Sequence, residues 1–407
     1  MPRVLIIGGG IAGTAAAMAL HKAGEDVAVY EACASGGADA GAFLTVGANG
    51  MLALTQLDAA DAVREAGFPL STMDLRDDKG KPIANVPLRG PHGATPGHHH
   101  LRRAALYRVL QQRAIELGIP VVHGKRLTDV HVSDAAVTAT FADGSSATGE
   151  LLIGADGLHS SVRPIMHPTA AGPAYAGQQV CYGYTRTASP PADPATFHMI
   201  RGRNGSFGYT VSPEGETWWF ARTPGQELHP DQLTASPERW RDRLIEEFRQ
   251  DRTPAADIVG HTTAELFVDN IYHLPDAPWL AGPMVLIGDA AHAASPASGQ
   301  GASMALEDAV MLGKALRDLP THDEAVACYE LLRRARVNRV ISSGARLTPA
   351  KMPNALQRTV RNARSRRQWK PNAEPADRDW LFDYPLDWTI PVDHELARQT
   401  DQLQRSD

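Results

Sequence analysis

The first thirty residues carry a hydrophobic pattern that predicts a strand, a helix and a second strand. An apolar run at 4–7 is followed by a glycine-rich turn, and an alanine-rich stretch then ends at Gly24. Apolar and polar positions alternate again over 27–30, directly before Glu31. This unit predicts a parallel sheet, because parallel neighbours need a crossover connection.

Apolar runs at 151–153 and 285–287 predict two more buried strands. Helices are predicted around 49–66, 103–117, 301–316 and 323–347. Between 173 and 274 aromatic and β-branched residues alternate between Gly/Pro/Asn-rich turns, with one charged helix around 237–249. This pattern predicts a mainly antiparallel sheet, which forms a second domain inserted into the first.

Composition and charge exclude several classes of protein. The chain has 407 residues, a formal net charge of −6 and 43% hydrophobic residues, enough for a large core. The mildly acidic balance argues against nucleic acid as the main partner. Three widely separated cysteines, Cys33, Cys181 and Cys328, favour a reducing compartment without disulfides. No apolar run suits a membrane helix and the chain starts directly on a strand, so we expect a cytoplasmic protein without a membrane partner.

The turn after the first strand has the spacing of a dinucleotide-binding loop. Gly8 permits the tight turn, Gly10 lets a pyrophosphate approach the backbone, and Gly13 lets helix and strand pack closely. The helix N-terminus then directs free N–H groups at the diphosphate. Glu31 ends the second strand, where its carboxylate can accept hydrogen bonds from ribose hydroxyls. These residues favour dinucleotide binding over a plain glycine turn, without separating NAD from FAD.

A second glycine-rich loop, more than two hundred residues later, favours FAD. Asp289 follows a buried strand within 288–292 (GDAAH), and 299–301 (GQG) precedes another helix. FAD is long enough to contact both loops, with its ribityl hydroxyls on Asp289. A helix N-terminus near Ala302 would stabilise negative charge on the pyrimidine edge of a reduced flavin. In isolation, Gly-Asp after a strand is equally consistent with a helix cap.

A third motif, DGLHSSVR at 156–163, reads by itself as a strand end with an Asp-Gly turn. The three motifs in this order resemble the class A FAD-dependent aromatic hydroxylases, flavoprotein monooxygenases similar to p-hydroxybenzoate and salicylate hydroxylase. Arg103 and the tail segment WLFDY at 380–384 extend the resemblance over nearly the whole chain. It is weakest over 173–274, where such families diverge to suit their substrates.

The resemblance implies the p-hydroxybenzoate hydroxylase fold. This is an α/β fold with a Rossmann-type FAD-binding domain, an inserted, mainly antiparallel β substrate domain and C-terminal helices. We expect the FAD-binding domain at 1–74, 98–172 and 275–347, the substrate-binding domain at 75–97 and 173–274, and the helical tail at 348–407.

The resemblance also implies an activity. NADPH or NADH would reduce FAD as a transient co-substrate, dioxygen would give a flavin hydroperoxide, and one oxygen atom would pass to an electron-rich aromatic carbon. Such enzymes have no separate nicotinamide domain, and the chain has no third GxGxxG motif. The protein would hold a phenolic, heteroaromatic or polyketide-type substrate beside the flavin and exclude water.

Residue by residue, the resemblance implies cofactor contacts for Gly8, Gly10, Ile11, Ala12, Gly13, Glu31, Arg103, Leu127, Asp156, Asp289, Pro296, Gly299, Gly301 and Ala302. Arg103 and Asp289 would bind the flavin linker, and Glu31 the adenosine ribose. The N–H groups of 301–302 would bind the flavin ring. Pro296 would line the hydroperoxide pocket as the one catalytic assignment.

Asp156 and Arg163 would buttress the cofactor crossing. No general base is assigned, and His292 is expected to be a structural donor. Substrate candidates lie in the aromatic region: Tyr182, Tyr184, Arg186, Arg201, Tyr209 and Trp218. One face of an alternating strand is core, so about half of the aromatic residues should touch ligand. The chain departs from many members of that family at two positions of this site. Tyr182 stands where they have arginine, and Ser303 stands where they have asparagine.

Two groups of polar residues, a histidine run and a set of tail arginines, are explained better without a metal or an anionic partner. The histidines at 98–100, with His92 nearby, do not form a metal site in our interpretation, because consecutive residues of an extended segment point to opposite faces. Arginines recur at every third position of a predicted tail helix: Arg358, Arg361, Arg364 and Arg367. A solvated helix face explains them better than an anionic docking surface.

Two alternatives to a hydroxylase stay open. A flavin-dependent halogenase would need a Trp-x-Trp-x-Ile-Pro motif, which 387–391 (DWTIP) echoes in part, with Leu386 at the first Trp position. A flavin-bound protein that sequesters an aromatic ligand without turnover is the other. The sequence leaves open the substrate, the choice between NADH and NADPH, and whether the protein is a monomer or a homodimer.

Overall fold

The computed structural model describes residues 3–34, 41–88, 97–134, 136–233, 236–263, 266–346, 353–368, 379–382 and 384–404. Within them the strands are β1 (Val4–Ile7), β2 (Val27–Glu31), β3 (Phe43–Val46), β4 (Phe68–Leu70), β5 (Thr72–Asp77), β6 (Pro82–Pro87), β7 (His98–Arg102), β8 (Val121–His123), β9 (Leu127–Val132), β10 (Val137–Phe141), β11 (Ser146–Gly149), β12 (Leu151–Gly154), β13 (Ala174–Thr185), β14 (Thr196–Arg201), β15 (Ser206–Val211), β16 (Thr217–Pro224), β17 (Phe267–His273) and β18 (Met284–Leu286). The helices are α1 (Ile11–Lys22), α2 (Ala48–Gln56), α3 (Ala60–Glu65), α4 (Arg103–Glu116), α5 (Val162–Met166), α6 (Pro230–Leu233), α7 (Pro237–Phe248), α8 (Ala255–Gly260), α9 (Asp289–His292), α10 (Gly301–Asp318), α11 (His322–Arg346), α12 (Ala355–Gln368), α13 (Asp379–Phe382) and α14 (Val392–Gln404).

A five-stranded parallel sheet contains the three apolar runs that precede the sequence motifs. Its order is β18-β12-β1-β2-β8, and every pairing is parallel. The strands β1, β12 and β18 are buried along their whole length. The helices α1 and α10 approach closely, since a Cβ added at Gly313 would lie 2.8 Å from the Ala19 Cβ. The carboxyl ends of these strands therefore bring the glycine-rich loops to one edge of a rigid core.

A seven-stranded sheet forms the second layer of the molecule. Its order is β17-β13-β16-β15-β14-β5-β6, and β14 with β5 is its parallel pair. The strands β5 and β6, within residues 72–87, thus lie in one sheet with strands that begin about a hundred residues further along the chain. This arrangement agrees with the mainly antiparallel sheet predicted for 173–274, and the exact domain boundaries stay a prediction.

The helix predicted over 49–66 is two helices, so its continuity was predicted wrongly. The helix α2 ends at Gln56 and α3 begins at Ala60. Asp58 between them has φ +54°, a left-handed conformation that an α-helix of L-residues excludes. Apolar periodicity continues across the break because both helices bury one face in the same core.

Candidate functional site

A large cavity of about 2380 Å³ lies between the two main sheets. Its wall contains both glycine-rich loops, the ends of parallel strands and one face of the seven-stranded sheet. Ligand sites of open α/β sheets lie at such carboxyl ends. The cavity therefore joins the predicted cofactor residues to the predicted substrate region.

The first glycine loop fits closely against the core on one side and is open on the other. A Cβ at Gly13 would lie 1.9 Å from the Gly8 carbonyl oxygen, and one at Gly8 would lie 2.5 Å from that of Ala155. An added Cβ at Gly10 would meet no atom within 4 Å, and Gly10 lines the cavity with 11–12. No side chain caps the N-terminus of α1. Its free N–H groups suit an anion such as a diphosphate.

Glu31 holds this loop in place. Its Oε2 accepts a hydrogen bond from the Gly9 N–H at 2.6 Å, and its Oε1 accepts one from the Cys33 N–H at 2.7 Å. Each carboxylate oxygen has a second lone pair. Ribose binding by Glu31 stays a prediction, because Glu31 does not belong to the cavity wall described above.

The second glycine loop presents another uncapped helix to the cavity. Gly288 has φ +58°, and a Cβ there would lie 2.8 Å from the Ala12 Cβ, so the two loops touch. Asp289 and the segment 296–302 line the cavity. No side chain caps α10, which begins at Gly301. This N-terminus is therefore available to a negatively charged group.

The third motif is held by hydrogen bonds of its own and is joined to the second glycine loop. Asp156 Oδ2 accepts hydrogen bonds from the N–H groups of Ser161 and Val162, at 2.6 and 3.1 Å. Arg163 donates to the carbonyl oxygens of Ala290 and Leu158, at 3.0 and 2.7 Å. The Asp156 Oδ1 is buried without a partner among the described residues, and burial raises the pKa of this carboxyl group.

These residues fit FAD. Two uncapped helix N-termini and a side-chain-free surface at Gly10 face one cavity, with Asp289 and Arg103 on its wall. A dinucleotide with a hydroxylated linker matches this donor and acceptor set. Leu127 lies at the start of β9, buried against the core and outside the cavity wall, so its cofactor contact stays a prediction.

A buried ionic network centred on Asp308 is hydrogen-bonded to the second glycine loop. The Asp308 carboxylate accepts hydrogen bonds from the Gly288 N–H at 3.0 Å and from Arg333 at 2.8 Å. His292 Nε2 lies 2.5 Å from the same carboxylate. Burial raises the pKa of Asp308, but His292 and Arg333 lower it by more, so the carboxylate stays ionised. The contact with Asp308 supports the prediction that His292 is a structural donor.

The cavity face of the seven-stranded sheet is aromatic. The strand register places Tyr182 beside Phe220, Phe220 beside Gly208, and Gly208 beside Met199. A Cβ at Gly208 would lie 2.6 Å from the Phe220 ring, so glycine leaves room for the ring. Phe43 meets Tyr182 edge-on, with ring centroids 5.3 Å apart. Such a wall suits one flat aromatic ligand.

Tyr182 and Arg201 are the predicted substrate residues that line the cavity. Tyr184 and Trp218 pack against each other with ring centroids 5.5 Å apart, and Arg102 covers both rings. Both lie on the same face of the sheet as Tyr182, but aromatic side chains and Arg102 cover that face at these positions.

The other two candidates also lie outside the cavity wall. Tyr209 lies on the opposite face, where it stacks on His198 at 4.7 Å and donates to the Pro191 carbonyl oxygen at 2.7 Å. Arg186 is exposed and lies 3.6 Å from the Glu216 carboxylate. Substrate contact by Tyr184, Arg186, Tyr209 or Trp218 is therefore not part of the function proposed below.

Sequence reasoning missed several polar residues of the wall, His100, Arg222 and Arg361 among them. His100 is buried on β7, and its Nδ1 lies 2.9 Å from the Thr45 Oγ. Burial lowers the pKa of His100 to about 3, so its ring is neutral. Arg222 on β16 and Arg361 on α12 also line the cavity. The alternation that places Arg222 on the same face of β16 as Phe220 is the sequence signal that could have identified it.

Arg361 changes the interpretation of the tail arginines. Arg361 is partly buried on the cavity wall, whereas Arg364 and Arg367 are exposed. The prediction of a purely solvated face was wrong at Arg361, because α12 packs across the edge of the seven-stranded sheet beside β6.

The described residues contain neither a metal-binding cluster nor a membrane-spanning helix. No group of three or more His, Cys, Asp or Glu side chains there could hold a metal ion. His92 and Asp383 lie outside the described residues. No described helix is long and apolar enough to cross a membrane.

Comparison with protein families matches residues 1–343 to the family described as FAD binding domain. The chain belongs to this family. It is 31% identical over 350 residues to the FAD-dependent urate hydroxylase of Klebsiella pneumoniae, covering 83% of this chain and 88% of that protein. It is 32% identical over 402 residues to the 3-amino-4-hydroxybenzoate 2-monooxygenase of Streptomyces cremeus, covering 93% and 94%.

Solved structures agree with the family. Klebsiella pneumoniae HpxO complexed with FAD and uric acid has a TM-score of 0.83 at 26% identity, covering 94% of this chain and 97% of that one. A salicylate hydroxylase substrate complex has the same fold, with a TM-score of 0.76 at 22% identity over 95% of this chain and 96% of that one. The predicted family, α/β fold, FAD cofactor and monooxygenase class are thereby confirmed.

Proposed function

We propose that the chain hydroxylates a planar aromatic or heteroaromatic small molecule, with NADPH or NADH and dioxygen as co-substrates. The observation that carries this proposal is the single cavity that joins the FAD-fitting loops to the aromatic sheet face. Relatives in the family are named for urate, 6-hydroxynicotinate and 3-amino-4-hydroxybenzoate. Their names support a substrate of one or two rings.

FAD, when bound, supplies hydride acceptance and oxygen activation. The protein's own part is to position the ring and exclude water. Phe220 and Tyr182 give the ring a flat apolar surface, and Phe43 closes one edge. Pro296, in the second glycine loop, also lines the cavity.

His100 is the residue we assign to a substrate hydroxyl or ring nitrogen. Its Nε2 is buried without a partner among the described residues, while Nδ1 is engaged by Thr45. A buried neutral imidazole with one free nitrogen binds one polar group and discriminates against analogues that lack it. Burial raises the pKa of Tyr182, so its hydroxyl keeps its proton at neutral pH.

The halogenase alternative has less support. Trp388, the tryptophan of the partial motif, lies between the Lys22 and Arg317 cations, 5.3 and 5.1 Å from its ring centroid. Its backbone N–H donates to Gln56 Oε1 at 2.8 Å. Trp388 does not belong to the cavity wall, so it serves packing of the tail.

The test is reduction and turnover of the purified protein. The flavin spectrum is recorded, and NADPH or NADH is then added without oxygen, with and without a panel of phenols and azaheterocycles. We expect bound flavin that is reduced faster with one class of aromatic, and an oxygenated product in air. Flavin that is never reduced with any aromatic would favour the sequestering protein, and chlorinated product would favour the halogenase.

We further propose a cytoplasmic location, a monomer or a homodimer, and the domain division stated above. The join of 72–87 with 174–273 in one sheet supports that division. Sedimentation of the FAD-loaded protein measures the oligomeric state.

A further inference from the structure

The outer face of α12 presents apolar side chains to solvent. Leu356 is 74% exposed and Val360 is 45% exposed, whereas the opposite face of the helix is buried at Ser365. Positions 356, 360, 363 and 367 follow each other at helical spacing, so they lie on one face, and all four are exposed. Two exposed apolar side chains are an ordinary surface feature by themselves. The charges around them therefore decide what this face can bind.

Arginine is the only type of charged residue on α12, which contains no Asp, Glu or Lys. Arg364 and Arg367 are exposed on the side of the helix that carries Val360. Within the part of the chain that the structure describes, neither forms an ion pair with a carboxylate. The whole chain has a net charge of −6, so this helix is opposite in sign to the molecule that carries it.

The turn between β5 and β6 extends the positive charge beyond α12. Lys79 and Lys81 are exposed on this turn, to which Arg366 of α12 is joined through Asp77 Oδ2 at 2.8 Å. Arg252 is also exposed, and its backbone N–H donates to the Asp78 carbonyl oxygen at 2.8 Å. The basic surface, as named here, consists of Lys79, Lys81, Arg252, Arg364 and Arg367 together with Leu356 and Val360.

The acidic residues of these segments point inward. Asp77 Oδ1 accepts hydrogen bonds from the backbone N–H groups of residues 79 and 81, at 3.0 and 2.9 Å. Asp78 Oδ2 accepts one from Arg203 Nε at 3.1 Å. The Asp251 side chain is fully buried, 3.7 Å from the same guanidinium. The carboxylates are thus buried and paired while the cations are exposed, which gives the surface a single sign.

An anionic lipid surface fits these features better than a protein does. A stable protein interface buries about 800 Å² on each partner around an apolar core, and two apolar side chains are too few for such a core. A second copy on a twofold axis would place arginine against arginine. A helix at a lipid surface needs only a few inserted apolar side chains, and arginine heads reach the phosphates while their stems lie in the lipid.

We infer that the basic surface docks on anionic phospholipid headgroups, with Leu356 and Val360 inserted between them. The sequence alone favoured a solvated helix face, because it does not show that Asp77 and Asp78 point inward. A peripheral contact of this kind needs no membrane-spanning helix. Arg361 and Ser365, on the inner side of α12, line the cavity. Docking therefore places the lipid about one helix diameter, roughly 10 Å, from the cavity.

The test is sedimentation of the FAD-loaded protein with lipid vesicles. One set is pure phosphatidylcholine, and the other contains phosphatidylcholine and phosphatidylglycerol in equal parts. Each Lys or Arg near an anionic surface raises the partition coefficient about fivefold, so we expect the anionic vesicles to bind at least about 20-fold more tightly. An ionic strength of about 0.5 M should remove most of this preference. Equal binding to both sets, or binding to neither, would overturn the inference.

Charge variants assign the preference to the basic surface. Arg364→Gln combined with Arg367→Gln should lower the partition coefficient on anionic vesicles about 10- to 25-fold. Arg108→Gln removes an exposed arginine of α4, outside the basic surface, and should leave the coefficient unchanged. All three side chains are exposed, so each protein should melt at the wild-type temperature. An equal loss of binding in the control would show that net charge alone, and not this surface, attracts the vesicles.

Apolar variants test insertion and separate a lipid from an acidic protein partner. Leu356→Ser combined with Val360→Ser should lower the partition coefficient about tenfold or more, because less apolar area enters the lipid. Leu331→Ser, a 62% exposed position of α11, is the matched control and should have no effect. Binding that depends on the arginines but not on Leu356 and Val360 would indicate an acidic partner and overturn the assignment to lipid.

Hydrogen exchange locates the contact on the chain. With anionic vesicles present, the amides of 355–368 and of the turn 79–81 should exchange more slowly, and those of α4 should not change. Protection elsewhere on the chain would overturn the inference. So would self-association of the lipid-free protein that Leu356→Ser with Val360→Ser abolishes, because a second copy would then be the occupant.

Vesicle docking and hydroxylation fail separately. A protein that binds anionic vesicles but whose flavin no aromatic helps to reduce keeps the docking surface and contradicts the proposed function. A hydroxylase that sediments equally with both sets of vesicles keeps the proposed function and contradicts the docking surface.

Discussion

Gly10 differs from Gly8 and Gly13 in what an added side chain would contact. At the other two positions a Cβ would clash with backbone, whereas at Gly10 it would project into the cavity. The φ of Gly10 is −73°, which alanine adopts without strain. Gly8 and Gly13 therefore serve the packing of the loop, and Gly10 leaves space for a ligand.

We expect Gly10→Ala to weaken FAD binding about tenfold or more, while the apoprotein melts at the wild-type temperature. Gly13→Ala should lower both FAD affinity and the melting temperature, because the loop backbone must move. Flavin fluorescence titration gives the affinity, and circular dichroism gives the melting curve. Gly172→Ala, which also meets open space but lies outside the cavity wall, is the control. An unchanged FAD affinity in Gly10→Ala would contradict the assignment.

The sequence predicts which side chains of one strand share a face of the sheet, but it does not predict how the faces of different strands align. Alternation places Tyr182 and Tyr184 on one face and Tyr209 on whichever face its own strand register selects. The register is a long-range property, set by pairing between β13, β16 and β15. Arg222 was missed because an arginine beside aromatic residues in a strand is usually solvated at one end. In the folded protein Arg222 is buried.

At the scale of elements, α12 closes one side of the cavity. Arg366 donates to Asp77 Oδ2 at 2.8 Å and to the Pro82 carbonyl oxygen at 3.0 Å, which fixes the helix to the strands β5 and β6. Ser365 is buried next to Arg201. A helix held by a few polar contacts can open at modest cost.

Arg366→Ala should increase opening of α12 about two- to fivefold, since a partly exposed ion pair contributes up to about 1 kcal/mol. The first measurement is the rate of limited proteolysis in native buffer. The second is the fraction of consumed NAD(P)H that appears as hydrogen peroxide, which should rise because water enters the cavity. Arg364→Ala, an exposed change on the same helix, is the control. Equal rates in both variants would show that Arg366 does not hold α12.

At the scale of the whole molecule, a buried ionic network joins the second loop to the tail. Glu307 accepts hydrogen bonds from Arg333 at 2.5 Å and from Arg336 at 2.7 and 2.6 Å. Arg336 also donates to the carbonyl oxygens of 380–381 at 2.7 and 2.8 Å. Asp308 connects Arg333 to Gly288. Loss of one member leaves buried charges without partners.

Asp308→Asn should lower the free energy of unfolding by about 3 to 5 kcal/mol, the usual cost of breaking a buried ion pair. Urea denaturation of the apoprotein measures it without a contribution from FAD. The control is Asp61→Asn, which removes an exposed pair with Arg64 and should cost at most about 1 kcal/mol. A similar small loss in both variants would contradict a stabilising role for the network.

Local patterns predicted the parallel sheet and the order of its motifs because each strand–loop–helix unit is complete within about thirty residues. They could not show that β5 and β6 join strands of the distant sheet, since that pairing is decided by contacts far apart in the chain. Local patterns could not predict the buried ionic network either. Glu307 and Asp308 look like ordinary polar positions of a helix, and they are buried because α10 packs against α1, α2 and α11.

The same network makes stability depend on pH. Burial raises the pKa of both Glu307 and Asp308. Arg336 and Arg333 lower the pKa of Glu307 by more, and His292 and Arg333 lower that of Asp308 by more, so both folded pKa values are depressed. Groups of this kind stabilise the fold fully above their unfolded pKa, about 4, and the contribution is lost as pH falls from there through the folded pKa. Wild-type stability should therefore fall between pH 5 and pH 3, by up to about 1.4 kcal/mol per pH unit for each carboxylate. Urea denaturation at pH 5, 4 and 3 measures this slope. Asp308→Asn and Glu307→Gln should each flatten it, because one carboxylate fewer takes up a proton on unfolding, whereas slopes equal to wild type in both variants would contradict the depressed pKa values.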